Sequence, residues 1–282
     1  MKHYAGFMIF IFTCACIELA HISGSNQMQE IKVDIGKNIV TMAKISGAAG
    51  YSIQNVDGLL MYDANGMSSD IPVRYARPGF EILFAPAFSL TMYADKKIDN
   101  NLPVQTVALQ ASTRMIKTHA AAQDFVKKII EQFQKGQWQR YIDDLCPAVT
   151  GRSSILNENG HVEQIGACAL DPNYQLSDQE WVRLMPSTQN YKWIGDGVLA
   201  KLTITCHDFG RGLDYAIDLD FDDFAKKNRR DHENERLELF EGDAKGWKST
   251  EKHLEYIAEM RSRIKILEKN ALARGDQVIL RQ

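Results

Sequence analysis

Leu213-Asp214-Tyr215-Ala216-Ile217-Asp218-Leu219-Asp220-Phe221 is the stretch on which the fold turns. Successive side chains of a strand point to opposite faces, so Leu213, Tyr215, Ile217, Leu219 and Phe221 form an apolar face. Asp214, Ala216, Asp218 and Asp220 form the other, which is acidic. Val198, Ala200, Leu202 and Ile204 alternate in the same way upstream. The turn-rich link His207-Asp208-Phe209-Gly210-Arg211-Gly212 between the two runs predicts an antiparallel hairpin. Its apolar face needs a cover.

Helices are available to supply one. Thr118 reads as an N-cap, after which Phe125, Ile129, Ile130 and Phe133 lie on one helical face until Gly136 provides a C′ stop. Ser177 with Glu180 three residues on is a capping-box start for a short helix to about Leu184. Ser249 caps a long helix in which Leu254, Ile257, Met260, Ile264, Leu267 and Ala271 recur at helical spacing, ending near Gly275. Upstream of Ala111 the pattern is strand-like. Its short apolar runs are Ile39–Met42, Leu59–Tyr62, Phe80–Phe84, Phe88–Tyr93 and Val104–Leu109, punctuated by Asn65-Gly66 and Pro78-Gly79. Residues 222–238 are highly charged and read as a solvated loop or an exposed helix. The expected fold is therefore α+β, antiparallel sheet with helices packed on one face. Strands followed by a helix occur twice, over residues 30–135 and 193–273. The expected divisions are a β-rich half over 28–140 and a second half over 141–282 that carries a loop, the hairpin and the long helix.

The N-terminus is of another kind. Lys2 and His3 precede an uncharged run from Tyr4 to Ile17 whose centre is Phe7-Met8-Ile9-Phe10-Ile11-Phe12. That is the plan of a secretory signal, too short to span a bilayer stably, and it predicts export with residues 1–25 as the signal. Thr13-Cys14-Ala15-Cys16 places small residues before Cys16, as lipoprotein processing requires, although Thr13 stands where Leu is usual. Cys16 is accordingly the candidate lipidation site, and with Ile17 rather than Asp after it, the outer membrane is the destination expected in enteric-type sorting. Cleavage after Ser23-Gly24-Ser25 would instead release a soluble periplasmic chain. Initiation at Met28 would give a minor cytoplasmic form.

Composition closes off several classes. The 282 residues are 45% apolar and 24% charged with a formal charge of −3, so there is no broad cationic field and no nucleic-acid partner is expected. Three cysteines lie beyond the signal. Cys146 and Cys168 flank a polar, Gly-containing loop that an exported chain could close by a disulfide, and Cys206 reads as a buried, inert strand residue. No nucleophile elbow, phosphate loop or paired-histidine zinc helix occurs. Gly195-Asp196-Gly197 enters a strand rather than a helix, so it reads as a tight turn. Asp218-x-Asp220-x-Asp222 opens like a calcium loop, yet Asp223 stands where glycine is needed and Arg229 where glutamate is. No catalytic residue, metal or cofactor is expected. The scattered histidines read as exposed and the four tryptophans as packing groups. The acidic face is expected to be solvated or to await a basic partner, with Asp214, Asp218, Asp220, Arg229 and Arg230 as candidate contacts.

Several short motifs carry a resemblance across about half the chain. They are Gly136-Gln137-Trp138-Gln139-Arg140-Tyr141, Cys146-Pro147, Thr150-Gly151-Arg152-Ser153, Asp171-Pro172-Asn173-Tyr174, Glu180-Trp181 and Trp193-Ile194-Gly195-Asp196-Gly197. In these the chain resembles envelope lipoproteins that serve as immunity proteins for type VI secretion lipase effectors. The resemblance implies a non-enzymatic domain that binds a cognate phospholipase toxin in the periplasm, touching the membrane only through its lipid anchor. A structural or assembly lipoprotein of the envelope, and a hydrolase with an unfamiliar site, are the competing classes. A neighbouring gene for a lipase with a secretion-spike domain would separate them.

Overall fold

The computed structural model describes residues 30–65, 67, 71–111, 116–208, 210, 212–233 and 250–281. The hairpin of the opening stretch is its centre. Strand β10 (Val198–Asp208) pairs antiparallel with β11 (Leu213–Asp223) in continuous register from Val198↔Asp223 to Asp208↔Leu213. Around it an antiparallel eight-stranded sheet runs β2-β3-β6-β7-β11-β10-β9-β8. Its other members are β2 (Ser52–Val56), β3 (Leu59–Asn65), β6 (Ala87–Asp95), β7 (Thr106–Ala111), β8 (Gln139–Arg140) and β9 (Gln189–Gly195). Two meanders, β2-β3-β6-β7 and β8-β9-β10-β11, meet through their last strands, with Leu219 opposite Leu109. The β9–β10 turn holds Asp196 at φ 46° and Gly197 at φ 73°, the left-handed pair that a two-residue hairpin requires. Gly195-Asp196-Gly197 is a turn.

The apolar face of this sheet is covered by two elements. Helix α2 (His119–Lys135) lies across it, capped by the Thr118 side chain and burying Phe125, Val126, Ile129 and Phe133. Beside it sits a small mixed sheet, β1 (Ile31–Val33), β4 (Val73–Tyr75) and β5 (Ile82–Phe84), in which β1 and β4 run parallel. Aromatic rings bond the layers. Phe133 of α2 stacks on Trp193 of β9 at 3.8 Å, and Tyr75 of β4 stacks on Phe221 of β11 at 4.0 Å. Trp138 sets its edge against Phe80 and Phe133, both at 5.2 Å. Arg77 reaches from the small sheet to Asp34 and to Asp196 in the β9–β10 turn. The architecture is α+β.

Three expectations need correction. Ile39–Met42 is not a strand but the start of helix α1 (Ile39–Ile45): the Asn38 side chain accepts from the amides of Val40 and Thr41, and Ile39 and Met42 are buried one turn apart. A four-residue apolar run fits either period, and the cap decides it. Gly136 ends α2 at φ −82°, not in the left-handed region. Its smallness matters because a Cβ there would lie 3.1 Å from Trp138 and 3.2 Å from the Gly79 carbonyl. Cys206 is half-buried, not buried.

The second half adds three helices. Helix α3 (Asp178–Leu184) carries the full Ser177–Glu180 capping box. The charged segment is helical over residues 224–233 (α4), and its remainder to 238 lies outside the described residues. Helix α5 (Thr250–Arg274) buries Ile264, Leu267 and Ala271, whereas Leu254 of the same apolar stripe is exposed. Ser249, Trp247, Cys16, Met28 and the whole signal segment lie outside the described residues.

Candidate functional site

The acidic strand β11 carries a row of carboxylates. On the face of the sheet away from α2, Asp218 accepts from Gln110 Nε2 at 3.0 Å and Asp222 from Thr106 Oγ1 at 2.6 Å. On β3, Asp63 accepts from Thr91 at 2.7 Å. Asp220 stands between Asp218 and Asp222, opposite Lys201 of β10, and forms no hydrogen bond with the described residues. Burial, reinforced by the two neighbouring carboxylates, pushes its pKa up to about 7. Burial likewise raises Asp218 and Asp222 above the ordinary range. The face is therefore half-covered rather than solvated. Ser89, Thr91, Gln110 and Thr203 wall an open depression of about 360 Å³ around Asp218 and Asp220.

The five candidate contacts do not gather into one patch. Asp218 and Asp220 share the depression. Asp214 is taken up by Lys117 at 3.0 Å. Arg230 of α4 lies by Asp222, while Arg229 is exposed. Among the described residues no group of three His, Cys, Asp or Glu side chains is placed to hold a metal.

Several of the quoted motifs, in contrast, do meet, and sequence spacing alone did not announce it. Cys146 and Cys168 are joined in a disulfide with Cα atoms 5.5 Å apart. Beyond it, the turn Gly151–Ile155 and the Asp171–Tyr174 segment are tied together. The buried Asp171 carboxylate accepts from the amides of Gly151 at 2.7 Å and Asn173 at 3.0 Å, with Arg140 3.6 Å away. Burial lowers the Arg140 pKa, and Asp171 opposes that shift. Glu180, also buried, accepts from Arg152 Nε at 2.8 Å and from the Tyr174 hydroxyl at 3.1 Å, besides its capping bonds to Ser177. Burial raises its pKa, but these hydrogen bonds outweigh it and hold the carboxyl below the usual range.

This network fixes one wall of a cleft of about 370 Å³. The opposite wall is α2, whose Gln134 donates to the Pro172 carbonyl at 3.0 Å and to Asn173 Oδ1 at 3.1 Å, closing one end. Val126, Ile130, Leu176, Trp181 and Tyr191 line the interior. Asp124, Lys127, Glu131 and Asp178 also line it. No histidine or cysteine does, so the cleft has no nucleophile–base pair of that kind. The Trp181 indole donates instead to the Tyr215 hydroxyl at 2.9 Å, with His119 on its other side, inside the protein. Ser153 and Ser154 serve the turn: Ser153 accepts from Arg274, and Ser154 donates to the Gly151 carbonyl.

No helix among the described residues is long and apolar enough to cross a membrane. No family model matches this chain, and no curated protein or solved structure matches it.

Proposed function

We propose that this chain is an exported immunity-type protein that binds and neutralises a phospholipase toxin delivered by type VI secretion. On this reading the signal segment sends it to the periplasm, and a lipid on Cys16 tethers the mature domain to the outer membrane. Each buried methylene of that lipid would contribute roughly 0.8 kcal/mol. The observation that carries the reading is that Pro172, Asn173, Tyr174 and Trp181 line one surface cleft, while Gly151 and Arg152 brace it from behind through Asp171 and Glu180. They build a contact surface held by buried hydrogen bonds, and a protein that acts by binding needs nothing more. The disulfide is in keeping with an oxidising compartment. A stable complex would bury about 1,600 Å² around a few aromatic or Arg anchors.

The test is direct. The mature protein is mixed with type VI phospholipase effectors, beginning with any encoded in a neighbouring gene, and phospholipid hydrolysis and co-purification are measured. Loss of hydrolysis at a one-to-one ratio is expected. An undiminished rate at stoichiometric excess overturns the proposal.

A further inference from the structure

The cleft between α2 and the 172–178 segment has a chemistry of its own. Its depth is apolar, lined by Val126, Ile130 and Leu176, and three carboxylates, Asp124, Glu131 and Asp178, stand around it against the single ammonium of Lys127. None of those three carboxylates forms an ion pair among the described residues, although Asp178 lies in the first turn of α3 and gains from the helix dipole. Elsewhere Asp34, Asp143, Glu158 and Glu268 are each matched to a cation.

A second observation is independent of charge. Tyr191 is 2% exposed and forms part of the cleft floor, and its hydroxyl makes no hydrogen bond with any described residue. Among the described residues, the buried atoms left without a hydrogen-bond partner lie elsewhere, on Tyr75, Arg140, Gln189 and Asn190, so the Tyr191 hydroxyl meets the cleft and not a sealed interior. A ligand entering the cleft would meet a free acceptor at the bottom, hydrocarbon along the sides and negative charge around it. The partly exposed ring of Tyr174, locked by its two bonds to Glu180, forms part of the wall.

We infer that this cleft receives an arginine side chain presented by a protein partner. The three methylenes fit the apolar walls, and the planar guanidinium offers five donors for the carboxylates and the Tyr191 hydroxyl while it stacks on Tyr174. A lysine would bring charge without the plane. The cleft is already open and its wall is already fixed, so little ordering opposes entry. The inference rests on the binding reading above only for what kind of molecule carries the arginine.

The test uses the mature chain and Nα-acetyl-arginine methylamide as the probe, followed by NMR at constant ionic strength. Saturable shifts of the Trp181 indole N–H and of the Gln134 and Asn173 side-chain amides are expected, at an affinity of about 1–10 mM for so small a ligand. The uncharged citrulline analogue should bind at least about tenfold more weakly, as should the Asp124→Asn, Glu131→Gln double variant. Tyr191→Phe should weaken binding while leaving the amide spectrum of the fold unchanged. Equal binding of the citrulline or lysine analogue overturns the assignment, and so does the absence of saturable shifts at the cleft. If the lipase is inhibited but the probe fails, the cleft is wrong and the neutralising role stands. If the probe binds and no lipase is inhibited, the cleft stands and that role falls.

Discussion

Two packed regions hold this molecule together by different means. Where the sheet meets α2 and the small sheet, Phe133, Trp193, Phe221 and Tyr75 stack in one continuous apolar cluster that runs from Ile31 to Phe221. No crosslink is found there. Around the loop that follows β8, the apolar cluster consists of Ile142, Cys146, Ala148, Ile165, Cys168 and Leu267. It is held by the disulfide, by Glu268 accepting from the Ala148 amide and by Arg281 donating to the Cys146 carbonyl. Large side chains set geometry by shape where there are enough of them. With few, the chain depends on covalent and polar ties.

The largest single loss is expected at Phe133. This side chain is fully buried, stacks on Trp193 and touches Trp138, so Phe133→Ala opens a cavity that the layers on either side cannot close. A loss of about 3–5 kcal/mol is expected, read as a lower urea midpoint at unchanged slope. Removing the disulfide by Cys146→Ser with Cys168→Ser should cost about 3 kcal/mol on the loop-entropy account for a separation of 22 residues. The effect should also be local. Hydrogen exchange should rise around residues 142–168 and 276–281 while β11 stays protected. If β11 opens together with the loop, the two regions are one cooperative unit and the contrast drawn here is false.

A third prediction concerns polar burial within the large region. Asp220 has its pKa raised to about 7 by burial and by Asp218 and Asp222 beside it; Lys201, the one cation acting on it, opposes this. The folded chain thus holds this proton more tightly than the unfolded chain does. Stability from this group is greatest below about pH 4 and is lost as the pH rises through 7. Asp220→Asn should therefore raise stability by about 1–2 kcal/mol at pH 8, discounted for the open side of the depression, and change little at pH 4. Urea midpoints at the two pH values check it. A variant destabilised at pH 8 would give Asp220 a favourable charge role that its surroundings do not suggest.

What the sequence made legible was mostly local. The hairpin could be read because β10 and β11 alternate without interruption, and the starts of α2 and α3 because Thr118, Ser177 and Glu180 act within one turn of themselves. The three-residue strands β1 and β4 could not be read, since they pair in parallel across some forty residues and carry too little pattern of their own, whereas β5 falls within the Phe80–Phe84 run. The acidic face looked solvated because alternation reports which way a side chain points, not how high its neighbours stand. Gln110, Thr91 and Thr203 raise those walls from three other strands. The cleft was out of reach for the same reason. It exists because Gln134 on α2 meets Pro172 and Asn173, and Tyr191 enters it from β9. The motif letters around it were visible, but their meeting was not.

The smallest prediction joins the two regions, because Ser177 and Glu180 serve both a helix and the cleft wall. Ser177 Oγ accepts from the Glu180 amide at 3.3 Å and donates to the Glu180 carboxylate, which in turn holds Tyr174 and Arg152. Ser177→Ala removes one cap and should cost about 1 kcal/mol, less than any change above. Arg152, Tyr174 and the Ser177 amide still hold Glu180, so the cleft wall should keep its place. Glu180→Gln is different, since it weakens the bonds from four donors at once and removes the charge that Arg152 answers. It should exceed the serine variant in stability loss and release the Tyr174 ring, visible as faster ring flipping by NMR. Equal losses for the two would mean that Glu180 matters only as a helix cap, and the cleft wall would then need another support.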